Sequence, residues 1–220
     1  MIVSLCGQKG GAGKTTAAVS IAVELVARGR RVLLVDLDPQ GSLRTWGDVA
    51  AEARVEHAPT VTALGAGVHR HLPPLAAAHD VTVIDCPPAQ GELQRAAMIL
   101  SDVALLPCGP AALDVWALAA SADLVREAQA AKPSLRAAVL ITRKIPGTVL
   151  AKQALGAIEK LGLPVLDASL CQRVTYQEAP AAGLGPTTYA PRSPAAAEVR
   201  RLVSELERLG GLARPRKGAR

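Results

Sequence analysis

The sequence contains no phenylalanine, and aromatic residues make up only 2% of its 220 positions. This scarcity argues against a nucleic-acid site built from stacked aromatic side chains. Hydrophobic residues nevertheless account for 50% of the chain and charged residues for only 20%, which excludes a disordered chain as the main state. The core must therefore be built from Ala, Val, Leu and Ile, and a chain of this length is expected to form one domain.

Long apolar runs and a secretion signal are also lacking. No stretch of about 18 residues is apolar throughout, so a membrane-spanning helix is not expected. The chain runs from Met1 straight into Ile2–Cys6 without a basic segment before it, which disfavours secretion. We therefore expect a cytoplasmic protein.

Cysteine and histidine are few and widely spaced. The four cysteines lack the close pairs of zinc or iron–sulfur frameworks: Cys6, Cys86, Cys108 and Cys171. We interpret them as small buried residues with reduced thiols. The four histidines likewise show no metal-ligand spacing.

The positive charge is concentrated at one end of the chain. The formal net charge is +6, and the last seven residues contain Arg214, Arg216, Lys217 and Arg220 with no acid. Such a tail lies near a polyanion or is simply a solvated, disordered end. We expect residues 1–210 to form a single domain and residues 211–220 to form a disordered basic tail.

Short apolar runs alternate with longer amphipathic stretches, a pattern that predicts successive strand–helix–strand units. The predicted strands are Ile2–Cys6, Arg31–Asp36, Val81–Asp85, Asp102–Pro107, Ala137–Thr142 and Val165–Ala168. The predicted helices are Lys14–Ala27, Leu93–Leu100, Leu113–Ala130, Val149–Leu161 and Ala195–Leu209. Right-handed crossovers make this an α/β fold, a doubly wound and mostly parallel sheet with helices on both faces and ligands at the carboxyl ends of the strands. Ala53–His79 is left without an assignment.

A glycine-rich loop lies between the first strand and the first helix. It reads Lys9-Gly10-Gly11-Ala12-Gly13-Lys14-Thr15-Thr16. Glycines let backbone N–H groups surround a phosphate chain, and the following helix presents its positive end to the same anion. Lys14 would neutralise the outer phosphates, and the hydroxyl of Thr15 would bind Mg²⁺. The alternative, a glycine-rich turn without chemistry, is disfavoured by the strand and helix that flank it.

Aspartates follow two of the predicted strands. Asp36 and Asp85 each end a strand, where a carboxylate can hold Mg²⁺ or a water bound to it. Asp38 lies two positions further and faces the same way as Asp36 in an extended chain. A single aspartate at a strand end is more often a cap or a turn former, but three of them beside a phosphate loop favour a metal site.

The loop departs from the general phosphate-loop pattern, because Gln8 stands where a glycine is usual and Lys9 adds a second lysine. In this respect Lys9–Thr15 resembles the deviant Walker A loop of the ParA/MinD ATPases, which are P-loop NTPases of the SIMIBI type. Four further segments carry the resemblance up to about Tyr176. Leu33–Gly41 and Val81–Pro88 are similar to the family's second motif and Walker B segment, and Leu140–Lys144 and Gln172–Tyr176 are similar to small plasmid-partition (ParF-like) ParA proteins.

The resemblance implies an Mg²⁺-dependent ATPase that is weak until a partner and DNA stimulate it. Two protomers would enclose two ATP molecules, with Lys9 of each reaching the other's phosphates as an arginine finger does; the alternative is that Lys9 points to solvent. Lys9, Lys14 and Asp38 would then be catalytic, with Asp38 orienting the attacking water. Arg143 would frame the adenine or form a surface salt bridge, and Arg173 is similarly open.

Two loops follow the acidic residues directly. Pro39–Ser42 and Cys86–Gly91 are rich in Pro, Gly and Gln. We expect them to be the switch loops that respond to the γ-phosphate.

The resemblance further implies a nucleoid-associated homodimer that binds DNA without sequence preference. A ParB-like or cargo-adaptor protein would stimulate hydrolysis, and the cycle would segregate or position a plasmid, a chromosome or a protein cargo. The candidate DNA contacts are Arg192, Arg200, Arg201, Arg208 and the tail. Glu198, Glu205 and Glu207 share the last helix, so a solvated face of mixed charge is the alternative. Because the sequence starts at the first ATPase strand, operator recognition by a preceding helix-turn-helix domain is not expected.

Two other functions stay open. In a MinD-like membrane-associated positioning ATPase, the apolar stripe of the last helix would lie in a membrane surface: Val199, Leu202, Val203, Leu206 and Leu209. Packing of that stripe on the sheet is the simpler interpretation. A nitrogenase-reductase-like electron carrier would need Cys86 and Cys108 as cluster ligands, but their positions do not match that family's pattern.

Overall fold

A seven-stranded sheet forms the centre of the computed structural model, which describes residues 1–147 and 155–213. Every neighbouring pair of strands is parallel, in the order β3-β2-β4-β1-β5-β6-β7. The strands are β1 (Ile2–Leu5), β2 (Val32–Asp36), β3 (Thr60–Ala63), β4 (Val81–Asp85), β5 (Val103–Cys108), β6 (Arg136–Lys144) and β7 (Val165–Cys171). The expected doubly wound α/β fold is confirmed, and the described sheet is parallel throughout.

Helices cover both faces of the sheet. They are α1 (Lys14–Ala27), α2 (Ser42–Glu52), α3 (Val68–Ala77), α4 (Gly91–Leu100), α5 (Ala112–Ala131), α6 (Thr175–Ala181), α7 (Pro186–Tyr189) and α8 (Pro194–Leu209). Residues 155–159 are also helical. The predicted helix Val149–Leu161 includes these residues, and its first six positions lie outside the described residues, as does the tail from Arg214 onward.

Alternating strand residues build two cores from small aliphatic side chains. Val3, Leu5 and Leu34 face one core, which packs α1, α2 and α8 on the sheet. Leu33 and Ile84 face the other, which packs α3, α4 and α5. A strand that is buried on both faces is almost continuously apolar, which explains why these strands were recognisable in the sequence.

The sequence analysis missed the elements between β2 and β4. β3 is a four-residue edge strand with half-exposed side chains, so it lacks the apolar run of a buried strand. α3 contains Pro73 and Pro74, and prolines normally argue against a helix interior. α6 and α7 were missed because they have only 7 and 4 residues and both contain proline.

The register of the central strands brings the acidic residues together. Leu5 of β1 pairs with Asp85 of β4, and Asp85 pairs in turn with Asp36 of β2. The phosphate loop leaves the same ends of these strands. None of the helices among the described residues is both long and apolar enough to cross a bilayer.

Candidate active site

The glycine-rich loop curls around the start of α1. Gly11 and Gly13 have φ angles of 70° and 90°, which side-chain-bearing residues rarely adopt. α1, described along its whole length, has no acidic residue in its first turn, so its positive end is free to face an anion. Thr142 of β6 donates a hydrogen bond of 2.8 Å to the carbonyl of Ala12 and fixes the loop to the sheet.

Lys14 is buried inside this loop. Only 7% of the residue is exposed, and its ammonium group donates hydrogen bonds to the carbonyls of Gly7 and Lys9, at 3.2 and 3.0 Å. The ammonium group thus lies among backbone groups that phosphate oxygens could replace as acceptors. This is the geometry expected of a lysine that neutralises phosphates.

Asp85 presents an unused carboxylate oxygen next to the loop. Its Oδ2 accepts a hydrogen bond of 2.5 Å from the hydroxyl of Thr15, whereas its buried Oδ1 has no hydrogen-bond partner among the described residues. Burial raises the pKa of Asp85 to about 7; the Thr15 hydrogen bond and Lys14 oppose this, and the charges of Asp36 and Asp38 add to it. Ionising this buried carboxyl group is costly without a positive charge beside it, and one of its oxygens has no partner. Both features fit a site that a cation completes.

Asp36 has a different role from Asp85. Its two oxygens accept the backbone N–H groups of Asp38 and Arg44, both at 2.9 Å. Asp36 therefore shapes the loop that carries Asp38 and leads into α2. Of the three predicted metal ligands, Thr15 and Asp85 are brought together, while Asp36 lies beside them with both oxygens engaged.

Within the described residues, no group of three His, Cys, Asp or Glu side chains is arranged to hold a metal ion. Mg²⁺ usually keeps several waters and takes its other oxygens from the phosphates of a nucleotide. The hydroxyl of Thr15 and the carboxylate of Asp85 are oxygen ligands of the kind that Mg²⁺ accepts.

Asp38 lines a cavity of about 720 Å³ that extends from the carboxyl ends of β2 and β3 to the start of α4. One of its oxygens accepts the N–H of Gln40 at 3.0 Å, and the half-exposed side chain is accessible to water. Pro39–Gly41 forms the turn after it, whereas Ser42 already begins α2. The water-orienting role that the resemblance implies for Asp38 stays a prediction.

Lys9 forms an ion pair within its own subunit. Its ammonium lies 2.6 Å from Oδ1 of Asp114 in the first turn of α5, and the Arg143 guanidinium lies 3.1 Å from the same oxygen. The Asp114 side chain is only 4% exposed, whereas 38% of the Lys9 side chain is exposed. Sequence reasoning missed Asp114; its signal was an acidic residue in the first turn of the helix that follows β5.

Arg143 and Arg173 lie at a second cavity, of about 200 Å³, between the phosphate loop and the ends of β6 and β7. Arg143 has a left-handed backbone, with φ of 51°, a strained conformation that is common at functional sites. Its guanidinium is engaged by Asp114, so it forms an ion pair and lines the cavity as well. The cavity opens beside Gly11, Gly13 and Thr16, where a nucleoside attached to loop-bound phosphates would lie.

Arg173 is held in the wall of this cavity by a buried carboxylate. Its guanidinium donates to Glu198 of α8 at 2.8 and 2.6 Å, and the Tyr176 hydroxyl donates to the same carboxylate at 2.9 Å. Burial alone would raise the pKa of Glu198, but hydrogen bonds from Arg173, Cys171 and Tyr176 lower it below its ordinary value. Arg173 therefore supports the cavity through Glu198.

Gln94 joins the phosphate loop to the second switch candidate and was also missed from the sequence. This fully buried amide accepts the N–H of Gly7 at 3.1 Å and donates to the carbonyls of Gly7 and Pro87, at 3.3 and 2.7 Å. Ala89, in the same Cys86–Gly91 loop, has a φ of 54°. One side chain thus couples a strained loop to the phosphate cradle.

The cysteines are free, and three of the four are buried. The thiols of Cys6 and Cys86 are in contact at 3.5 Å. That contact and burial raise the pKa of Cys86, and burial raises that of Cys108 to about 12. Cys171 is half-buried.

The four candidate DNA-contacting arginines are all exposed: Arg192, Arg200, Arg201 and Arg208. The acids of α8 point elsewhere. Glu198 binds Arg173, Glu205 accepts the N–H groups of Asp167 and Ala168 in β7, and Glu207 binds Arg28 at 2.8 Å.

As a result, the solvent face of α8, a helix described in full, carries arginines and no exposed acid. The opposite, apolar face is buried on the sheet, with Val199, Leu202, Val203 and Leu206 at 0% exposure. It is therefore not free to enter a membrane surface, as the MinD-like interpretation of this helix requires.

Comparison with known proteins identifies the family of this chain. The family model of the CobQ/CobB/MinD/ParA nucleotide binding domain matches residues 3–187. The chain belongs to this family. The maintenance of carboxysome distribution protein A of Halothiobacillus neapolitanus is 32% identical over 206 residues, covering 93% of this chain and 95% of that protein. The chromosome-partitioning ATPase Soj of Thermus thermophilus is 31% identical over 234 residues, covering 93% and 94%. The resemblance to the ParA/MinD ATPase family is thus confirmed.

Solved structures of nucleotide-binding proteins share the fold. A variant of Cyanothece McdA in its ATP complex matches with a TM-score of 0.78 at 16% identity, over 97% of both chains. Cobyrinic acid a,c-diamide synthase of Mycobacterium smegmatis, with a bound ATP analogue and magnesium, also matches with a TM-score of 0.78, at 25% identity over 94% of both chains. The P-loop fold class is confirmed.

Proposed function

We propose that this ParA/MinD-family protein is an Mg²⁺-dependent ParA-type ATPase that dimerises around ATP, binds DNA without sequence preference and positions a cargo. The observation that carries the proposal is the phosphate loop with two lysines, Lys9 and Lys14, beside the orphaned oxygen of Asp85. Relatives whose names state carboxysome distribution and chromosome partitioning support the positioning function.

The residues of the loop fit ATP and Mg²⁺. The N–H groups of Gly10–Thr16 and the ammonium of Lys14 would hold the phosphates, and Thr15 and Asp85 would hold the metal ion. Bound Mg²⁺ supplies neutralisation of phosphate charge. A cation at Asp85 would also favour its ionised form, which burial disfavours in the free chain.

Lys9 is the residue that would link ATP binding to dimer formation. In the free chain its ammonium is neutralised by Asp114. A phosphate group of a nucleotide bound to the partner subunit is a stronger anion than one carboxylate already shared with Arg143. Lys9 would therefore leave Asp114 only when a nucleotide-bearing partner is present, which links ATP binding to dimer formation.

Asp38 would orient the attacking water from the turn that follows β2, at the wall of the cavity between the ends of β2 and β3 and the start of α4. Its carboxylate is fixed by the turn that Asp36 shapes and by the N–H of Gln40, which would limit the freedom of a water bound to it. Gln94 would transmit the presence of the γ-phosphate from Gly7 to the Cys86–Gly91 loop.

The arginine face of α8 supports the DNA-binding part of the proposal. Arg200, Arg201 and Arg208 are exposed without a competing exposed acid on the helix, so they can neutralise DNA phosphates. Such contacts carry no base information. They suit a protein that uses the nucleoid as a track.

The experiment is an ATP hydrolysis assay with Mg²⁺, duplex DNA and the product of a neighbouring gene, added separately and together. We expect slow hydrolysis alone and a rate with both additions that exceeds the sum of the separate effects. Asp38→Ala should bind ATP and lose hydrolysis, with Asp48→Ala, an exposed aspartate of α2, as its control. Additive rates would contradict the positioning function, and full hydrolysis by Asp38→Ala would remove its catalytic role.

A further inference from the structure

The first half of α5 exposes an apolar surface beside the phosphate loop. Trp116 is 70% exposed and Leu113 is 64% exposed, the former more than any other large apolar side chain in the described residues. The two lie three positions apart, so they share one side of the helix, which exposed Ala120 continues. We call Leu113, Trp116 and Ala120 the α5 face. Exposed apolar patches on soluble proteins mark interaction sites.

The same half of α5 contacts the phosphate loop with its other side. Asp114 binds Lys9 at 2.6 Å, and the hydroxyl of Ser121 accepts the N–H of Gln8 at 3.3 Å. Whatever covers the α5 face therefore lies next to the lysine that is proposed to act across a subunit interface.

Charge distribution along α5 separates this surface from the rest of the helix. Among residues 112–120, all of them described, no exposed side chain is charged. The second half exposes charges that pair with each other, as Asp123 does with Arg126 and Glu127 with Arg95 of α4. The apolar character is thus confined to the part of α5 that borders the loop.

The surface is complementary to itself. In a two-fold symmetric contact the same patch is present on both subunits, and residues near the axis meet their own copies. Leu113 and Trp116 can do so without repulsion between like charges. At the border of the patch lies Lys9, the lysine that is proposed to reach the phosphates of the partner subunit, with 38% of its side chain exposed.

We propose that the α5 face forms the apolar centre of the contact with a second copy of this chain. The inference rests on the proposed function, since the ATP-bound dimer is the state that covers the face. Trp116 would be buried at the centre of that contact, where tryptophan contributes most to affinity. The Lys9–Asp114 ion pair lies at the edge of this contact. Formation of the dimer and release of Lys9 from Asp114 would therefore occur at the same place.

The test measures dimer formation by sedimentation velocity with Mg²⁺ and a non-hydrolysable ATP analogue. We expect Trp116→Ala to weaken the dimer about thirtyfold and Leu113→Arg to abolish it at micromolar protein. The matched control is Ile99→Arg, which puts the same charge on a 38% exposed apolar residue in the last turn of α4 and should dimerise normally. All three substitutions are at exposed positions, and equal thermal midpoints together with equal binding of the analogue will show that folding and the nucleotide site are intact.

Tryptophan fluorescence gives a second readout. The only other tryptophan, Trp46, is 4% exposed, so the emission of Trp116 should shift to shorter wavelength when the analogue and Mg²⁺ are added. Trp116→Phe should keep the dimer and lose the shift.

The outcomes separate the two proposals. If the wild type dimerises and Leu113→Arg and Trp116→Ala dimerise equally well, the α5 face is not the contact, while the ATP-bound dimer stands. If the wild type binds the analogue and stays a monomer, the dimer of the proposed function fails and the α5 inference fails with it. If both variants dimerise normally and lose stimulation by a second protein, the face binds that protein, which also overturns the inference.

Discussion

The two longest helices of the described chain expose opposite kinds of surface. α5 presents uncharged residues from its first half, with Trp116 and Leu113 at the centre, whereas α8 presents arginines and turns its acids inward. Each helix buries an apolar side on the sheet, so burial alone does not distinguish them. The difference lies in the solvent face, and it is the reason for proposing a protein contact on α5 and a DNA contact on α8.

Replacing a buried leucine of α8 and an exposed leucine of α5 should give the largest difference in the free energy of unfolding. Leu202 of α8 is 0% exposed and Leu113 of α5 is 64% exposed. Leu202→Ala should lower the free energy of unfolding by about 2–5 kcal/mol because it leaves a cavity, while Leu113→Ala should change it by less than about 0.5 kcal/mol. Urea denaturation checks both; equal losses would show that the α5 face is part of the core.

The inward acids of α8 are expected to stabilise the fold. Glu198→Gln should cost about 1–3 kcal/mol, because Arg173 loses its charged acceptor. The folded pKa of Glu198 lies below its ordinary value of 4.5, so its contribution is present above pH 4.5 and is lost as the pH falls through the lower, folded value.

Denaturation between pH 7 and pH 3 measures this contribution. The stability difference between wild type and Glu198→Gln should shrink below pH 4.5. Glu127→Gln, at an exposed acid of α5, serves as the control and should have little effect. A difference that is constant with pH would argue against the ionised Glu198.

The outward arginines of α8 are expected to bind DNA. Reversing Arg200 and Arg201 to glutamate should weaken binding of the ATP form to an unrelated duplex about tenfold or more at low salt, and flatten the dependence of affinity on salt. Reversal of Arg126, an exposed arginine of α5, should have no such effect. Fluorescence anisotropy at several salt concentrations gives both quantities, and an unchanged salt slope would assign the DNA contact elsewhere.

The smallest expected effect is on the tightness of the dimer, when Asp114 between the α5 face and the phosphate loop is replaced. Asp114→Asn removes the anion that neutralises Lys9 in the free chain, so ATP-dependent dimerisation should become about threefold tighter, the order expected of a partly exposed ion pair. Asp123→Asn, on the same helix but in an exposed pair, should change nothing. Weaker dimerisation of Asp114→Asn would show that Asp114 supports the contact instead of holding Lys9 back.

The phosphate loop and the central strands could be predicted because their signals are local. Gly11 and Gly13 mark the turn, and the strands are continuous apolar runs that end at Asp36 and Asp85. Asp114 could not be assigned a role in this way, because its partner Lys9 is brought near only by the pairing of β1 with β5.

The two helix faces show the same limit. The charges of α8 appeared mixed in the sequence, since which way Glu198 and Glu205 point depends on contacts with β7. Trp116 lies in a helix that was predicted, but its exposure follows from how α5 packs against α4 and the sheet.

The proposed ATP-dependent dimer depends on Lys9 acting across a subunit interface, and sedimentation of Lys9→Ala tests this most directly. With Mg²⁺ and a non-hydrolysable ATP analogue, the wild type should sediment as a dimer, while Lys9→Ala should bind the analogue and remain a monomer. Lys144→Ala, at the end of β6, should behave as the wild type. A Lys9→Ala protein that dimerises as tightly as the wild type would contradict the account.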